Sequence, residues 1–98
     1  MYIITLTLTE LKSKAPDYMA AHNAWIAQGF EDGVFLLVGG LKPQGGGVIL
    51  ASGSDITSIE ERVSEDPFVA EGIATPHIQE VAPARTDPRL SFLSKAAS

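Results

Sequence analysis

The segment VFLLVGGLKPQGGGVILA, residues 34–51, carries the clearest structural pattern in the chain. Two apolar runs, 34–38 and 48–51, flank a connection rich in glycine, and this arrangement predicts a β-hairpin. Neither run alternates between apolar and polar residues, as a strand with one solvated face should. Because one layer of helices covers only one face of a sheet, we expect a second subunit to cover the other. The segment therefore predicts a homodimer.

A strand and a helix are predicted ahead of the hairpin. Residues 2–9 alternate between an apolar face and a face rich in threonine, which is typical of a strand. Apolar residues then recur at helical spacing over 18–29, and either Gly29 or Gly33 can end this helix. His22 lies within the apolar stripe of the helix.

A second helix and a last strand are predicted after the hairpin. Ser54-Asp55 can cap a helix over 56–63. Asp66-Pro67 interrupts that helix, because a residue before proline is disfavoured in helical conformation. One more helical turn should close at Gly72, and residues 75–82 should form a strand. The order βαββαβ is the split βαβ, ferredoxin-like pattern of an α+β fold with an antiparallel sheet.

The chain divides into a domain over residues 1–82 and a tail over residues 83–98. The tail contains Leu90, Phe92 and Leu93 among Pro, Ser and Ala residues. Two alternatives are open for it: a short helix packed on its own domain or on a partner, or a frayed end.

Composition excludes several classes of protein. The chain of 98 residues fits one domain, and its lack of cysteine removes disulfides and catalytic thiols. The net charge of -5, with no basic run, argues against a nucleic-acid partner. The amino terminus lacks the positive leading region of a signal peptide, and no apolar run approaches the roughly 20 residues that span a bilayer. We expect a cytoplasmic protein with no membrane partner.

His22 and Asp66 are the candidate catalytic residues. A neutral imidazole is the usual general base near neutral pH, and a carboxylate is the usual partner that orients it. The alternative for His22 is a core histidine bonded to the backbone. Asp66 lies at a helix break, where its short side chain can turn into a cleft, and its alternative is a local cap. Sequence pattern by itself does not choose between these alternatives.

No metal or cofactor site is expected. The two histidines, His22 and His77, do not have the spacing of a metal motif, so carboxylates would have to complete any site. The run Gly45–Gly47 lacks the lysine and the following helix of a phosphate-binding loop. We interpret the run as a flexible hairpin connection, with a mobile flap over a cleft as the alternative.

Taken together, these segments resemble the YciI-like (YCII-related) family. Glu65–Gly72, with the sequence EDPFVAEG, resembles the DPF-x-x-x-G signature and is the most specific piece. The resemblance covers roughly residues 1–82, and the weaker pieces that carry it are Tyr2–Leu8, His22–Ile26, Gly33–Gly40 and Gly47–Leu50. The chain departs from the family at the end of its first strand, Thr7-Leu8-Thr9-Glu10, and in its longer tail.

The resemblance implies a ferredoxin-like fold whose sheets pair in a dimeric α+β barrel. It also implies a His–Asp site in a cleft, carried here by His22 and Asp66. One branch of the family is associated with dehydrochlorination of a chlorinated hydroxyquinol, and related barrels include muconolactone isomerase and small monooxygenases.

Two functional hypotheses follow. The first is a cofactor-free enzyme in which the His–Asp pair performs acid/base chemistry on a small organic molecule, with aromatic and lactone compounds as candidates. Its reaction would be a proton abstraction, an isomerisation or an elimination, as in a lyase or an isomerase. The second is a module without catalysis, which binds a small molecule or serves as a dimeric interaction surface.

Overall fold

The computed structural model describes residues 1–53 and 55–97. Two short 3-10 turns, Lys12–Lys14 and Pro88–Leu90, accompany the regular elements. The strands are β1 (Tyr2–Leu8), β2 (Phe35–Gly40), β3 (Gly47–Ala51) and β4 (Ala74–Glu80), and the helices are α1 (Ala15–Glu31), α2 (Ile56–Ser64), α3 (Pro67–Ala70) and α4 (Ser91–Ala97). Up to β4 the order of strands and long helices is the predicted βαββαβ.

The strands form an antiparallel sheet in the order β2-β3-β1-β4. Strand β3 lies between β1 and β2, as the split βαβ pattern requires. At the centre of the sheet, Ile4 lies opposite Ile49 on one side and Ile78 on the other. The predicted ferredoxin-like α+β fold is therefore confirmed.

The two faces of the sheet differ in burial. On β1, Tyr2, Ile4 and Leu6 are buried in a core shared with residues of α2 and α3. The opposite face, here called the open face, carries a row in which Ile3 lies opposite Leu50 and Leu50 opposite Leu37. Leu37 is 48% exposed. The open face is therefore the apolar face of the hairpin that the helices do not cover.

Helix α1 approaches the sheet closely only near its carboxyl end. Gly29 is its one buried residue, and a β-carbon there would overlap the Phe35 ring of β2. Gly33, at φ +74°, follows the helix in the left-handed conformation that glycine favours, so the second predicted ending is correct. Towards the amino end, Met19 remains 43% exposed. The result is a wedge of space between α1 and the sheet.

The boundaries of several elements differ from the predicted ones. Strand β2 starts at Phe35, since the backbone N–H of Val34 donates to the Gly29 carbonyl at the end of α1. It continues to Gly40, which pairs with Gly47. Asp55 caps α2 by accepting from the Ser58 N–H at 2.8 Å, whereas Ser54 lies outside the described residues.

Residues 83–97 add a last helix, α4, after the 3-10 turn. Leu93 is buried, whereas Leu90 and Phe92 are each 46% exposed. Of the helices in the described part of the chain, none is both long enough and apolar enough to cross a membrane.

Candidate active site

His22 and Asp66 meet in the structure although 44 positions separate them in the sequence. The Nδ1 atom of His22 lies 2.7 Å from Oδ1 of Asp66. An ionised carboxylate only accepts hydrogen bonds, so with Asp66 in that form the donor in this contact is Nδ1–H. The neutral imidazole then keeps its lone pair on Nε2, which is the nitrogen that a general base would use.

Asp66 holds its position through the helix break that the sequence marks. It is the N-cap of α3, and the same Oδ1 atom accepts from the Phe68 backbone N–H at 3.1 Å. The Asp66 side chain is fully buried, and Oδ2 has no hydrogen-bond partner among the described residues. The two roles considered for Asp66, local cap and partner of His22, are thus combined in one oxygen atom.

Two aromatic rings fix the plane of the imidazole. The Phe68 ring stacks on His22 with centroids 4.0 Å apart and an interplanar angle of 3°. The Trp25 ring lies 6.0 Å away at 26°, and its Nε1 donates to the Arg62 carbonyl at 3.0 Å. With Asp66 at Nδ1, these contacts leave the His22 side chain 12% exposed.

A second polar contact joins α1 to the end of α3. The Tyr18 hydroxyl donates to Oε1 of Glu71 at 3.3 Å. The negative charge of Glu71, followed by partial burial, raises the pKa of the Tyr18 phenol above its usual value. Tyr18 and His22 are one turn apart on α1, and together they attach this part of the helix to α3.

The imidazole borders a cleft between α1 and the sheet. The cleft has a volume of about 280 Å³ and is lined by Leu6, Leu8, Ala15, Met19, His22, Asn23, Ile26, Val38, Gly39, Gly46, Gly47, Val48, Ile49, Phe68 and Ala74. His22 and Asn23 are the polar side chains in this set, and the set contains no lysine or arginine. Asp66 lies behind His22 and does not line the cleft. His22 therefore lines the cleft and contacts Asp66 as well.

The other candidates of the sequence lie elsewhere or play other parts. His77 is exposed on the open face, where it pairs with Thr5, so it does not contribute to the cleft. Within residues 1–53 and 55–97, no group of three or more His, Asp or Glu side chains is placed to hold a metal ion. Gly46 and Gly47 do line the cleft, so the glycine loop forms part of its wall.

Sequence reasoning missed the part played by Phe68. The sequence pattern assigns Phe68 no role beyond its place in the EDPFVAEG segment. The available signal was the adjacency of Phe68 to Asp66, because a cap residue and the side chain two positions later lie at the same helix end.

The chain matches no protein-family model and no curated protein. Among solved structures, it is similar to the 5-chloro-2-hydroxyhydroquinone dehydrochlorinase of Burkholderia phenoliruptrix AC1100 in complex with 2,5-dihydroxybenzoquinone. The TM-score is 0.69 at 15% sequence identity, and the match covers 82% of this chain and 91% of the dehydrochlorinase chain. At this level of identity the similarity establishes the fold.

Proposed function

We propose that the protein is a cofactor-free enzyme of the YciI-like family, in which His22 is the general acid/base and Asp66 orients it. The observation that carries the proposal is the 2.7 Å contact between His22 Nδ1 and Asp66 Oδ1, with the imidazole at the cleft and the carboxylate behind it. Such an arrangement leaves Nε2 free to take a proton from a bound molecule.

The chemistry suited to one such pair is proton transfer next to a carbonyl group. Nε2 of His22 takes a proton from carbon, and the electron pair of the C–H bond forms a new double bond as the π pair of the carbonyl moves onto its oxygen or, in an elimination, as the leaving group departs. In an isomerisation, the imidazolium returns the proton at another atom. In an elimination, the leaving group departs with its bonding pair, and the proton later passes to water. In both cases Asp66 stabilises the imidazolium through Nδ1.

The lining of the cleft favours a neutral, ring-sized substrate. Its side chains are mostly apolar, and without lysine or arginine they offer an anionic group no permanent positive charge. The dehydrochlorinase of similar fold is named for a chlorinated hydroquinone and holds a quinone. This similarity favours aromatic or quinone-like substrates over lactones for this chain.

We also propose a homodimer formed through the open face. The row Leu37, Leu50 and Ile3 supplies its apolar part, and Leu37 is 48% exposed in the single chain. Pairing two such sheets would produce the dimeric α+β barrel. A cytoplasmic location and the absence of a nucleic-acid partner stay predictions from composition.

The test is turnover of a panel of neutral chlorinated and hydroxylated ring compounds by the wild type and by His22→Gln. We expect the wild type to convert at least one compound and the variant to lose about 10²-fold or more in kcat. Circular dichroism and the unfolding midpoint should show that the variant is folded. Unchanged turnover in folded His22→Gln would remove His22 from the mechanism.

A binding module without catalysis is the second candidate. It is favoured by the small polar content of the cleft, where Asn23 is the one polar side chain besides His22 among the described lining residues. In that case ligands would bind and be recovered unchanged, and His22→Gln would alter affinity alone. Product analysis by mass spectrometry after long incubation separates the two candidates.

A further inference from the structure

The cleft exists partly because one row of the sheet lacks side chains. On the helix-facing side, Ile4 lies opposite Ile49, and Ile49 lies opposite Val38, so that row is filled. In the row two residues further along β1, Leu6 lies opposite Gly47, and Gly47 lies opposite Gly40. Directly paired residues of an antiparallel sheet project to the same face. Gly47 thus leaves empty the space beside Leu6 on the side of the sheet that faces α1, whereas Gly40 lies farther out, on the edge strand β2.

Gly47 is the one of these two glycines that lines the cleft. A β-carbon built on Gly47 meets a single atom within 4 Å, the Gly39 carbonyl oxygen at 3.5 Å, which is an ordinary contact distance. Its backbone does not have the positive φ found at Gly45 and Gly46. The backbone therefore accepts a β-carbon at position 47, and a side chain built on it would project into the space beside Leu6.

We propose that Gly47 determines the size limit of the ligand, which occupies the space that a side chain on β3 would otherwise fill. The inference rests on the proposed function in that the ligand is taken to be a neutral ring compound. Gly47 does not take part in proton transfer, so its substitution changes which rings fit and leaves the contact between His22 and Asp66 in place.

The experiment compares binding of phenol and 1-naphthol to the wild type, Gly47→Val and the control Gly40→Val. Gly40 belongs to the same row but is exposed and does not line the cleft. Trp25, the single tryptophan, lies beside His22, so quenching of its fluorescence can report binding, with calorimetry as a second readout. We expect Gly47→Val to weaken the binding of 1-naphthol at least about tenfold and the binding of phenol less than about threefold. Gly40→Val should leave both affinities near the wild-type values.

Three results would overturn the size limit. Gly47→Val could weaken the binding of both probes equally, it could change neither affinity, or the wild type could bind neither probe. If Gly47→Val does not fold, Gly47→Ala provides the same comparison with a smaller side chain. The expected difference between the losses of affinity for 1-naphthol and for phenol is then smaller. Because the assay measures binding and not turnover, a wild type that binds but converts nothing would contradict the proposed enzyme and leave this inference standing.

Discussion

The imidazole of His22 has little freedom to rotate, because a carboxylate holds one nitrogen and an aromatic ring covers one face. The weak point of this arrangement is Oδ1 of Asp66, which serves both His22 and the cap of α3. Removing the charge of the carboxylate should therefore affect catalysis and folding together.

Asp66→Asn is expected to lower kcat on the order of 10²-fold and to reduce the free energy of unfolding by about 1–3 kcal/mol. The amide cannot stabilise an imidazolium, and its NH₂ group enters a buried site that now holds a carboxylate. Urea unfolding and steady-state kinetics measure the two effects. Glu65→Gln is the matched control, because Glu65 is adjacent but exposed. Equal kinetics for the two variants would contradict the role of Asp66.

At the level of elements, α1 contacts β2 near its carboxyl end, whereas its amino-terminal half packs against α3 and borders the cleft. The close contact depends on Gly29, against which the Phe35 ring packs, and Phe35 in turn meets Trp25 edge-on at 5.1 Å. Since Trp25 lies next to His22, the angle of the helix and the position of the imidazole are connected through these rings.

Gly29→Ala is expected to destabilise the protein by about 1–3 kcal/mol, because the new methyl group overlaps the Phe35 ring. The sign of the change in the free energy of unfolding distinguishes two arrangements of α1. Helix propensity by itself favours alanine over glycine by up to about 1 kcal/mol, so a helix free of the sheet would become more stable. Urea unfolding of the wild type and the variant measures the difference. A gain in stability would show that α1 does not lie against β2 at this point.

The elements themselves could be predicted because their signals are local. Alternation marks β1, the Asp66-Pro67 break separates α2 from α3, and the glycine run marks the hairpin. The function of Gly29 could not be predicted, because a glycine that ends a helix and a glycine that lets a ring pack closely give the same sequence pattern. Only the position of Phe35 in the fold distinguishes them. The same holds for the site: His22 and Asp66 were identified as candidates, but their contact depends on how α1 packs against α3.

At the level of the whole molecule, the sheet separates two surfaces with different chemistry. The face toward α1 holds the cleft, whereas the open face combines the apolar row of Leu37, Leu50 and Ile3 with a polar pair, Thr5 and His77. An apolar row on an exposed sheet face is the feature that a second copy would bury.

Leu37→Lys is expected to prevent the proposed dimer from forming, because burying an unpaired ammonium group in an apolar interface costs more than the contact contributes. Sedimentation velocity over a range of concentrations measures the mass. Ala27→Lys is the control, since Ala27 is exposed on α1 and does not line the cleft. A wild type that stays monomeric at high concentration, or a Leu37→Lys variant that dimerises like the control, would contradict pairing through this face. Apart from Val48 and Gly39, which are in register with Thr5, the sheet residues that line the cleft face α1, so a folded monomer should keep its affinity for a small ring compound. A parallel binding measurement checks that the two surfaces act independently.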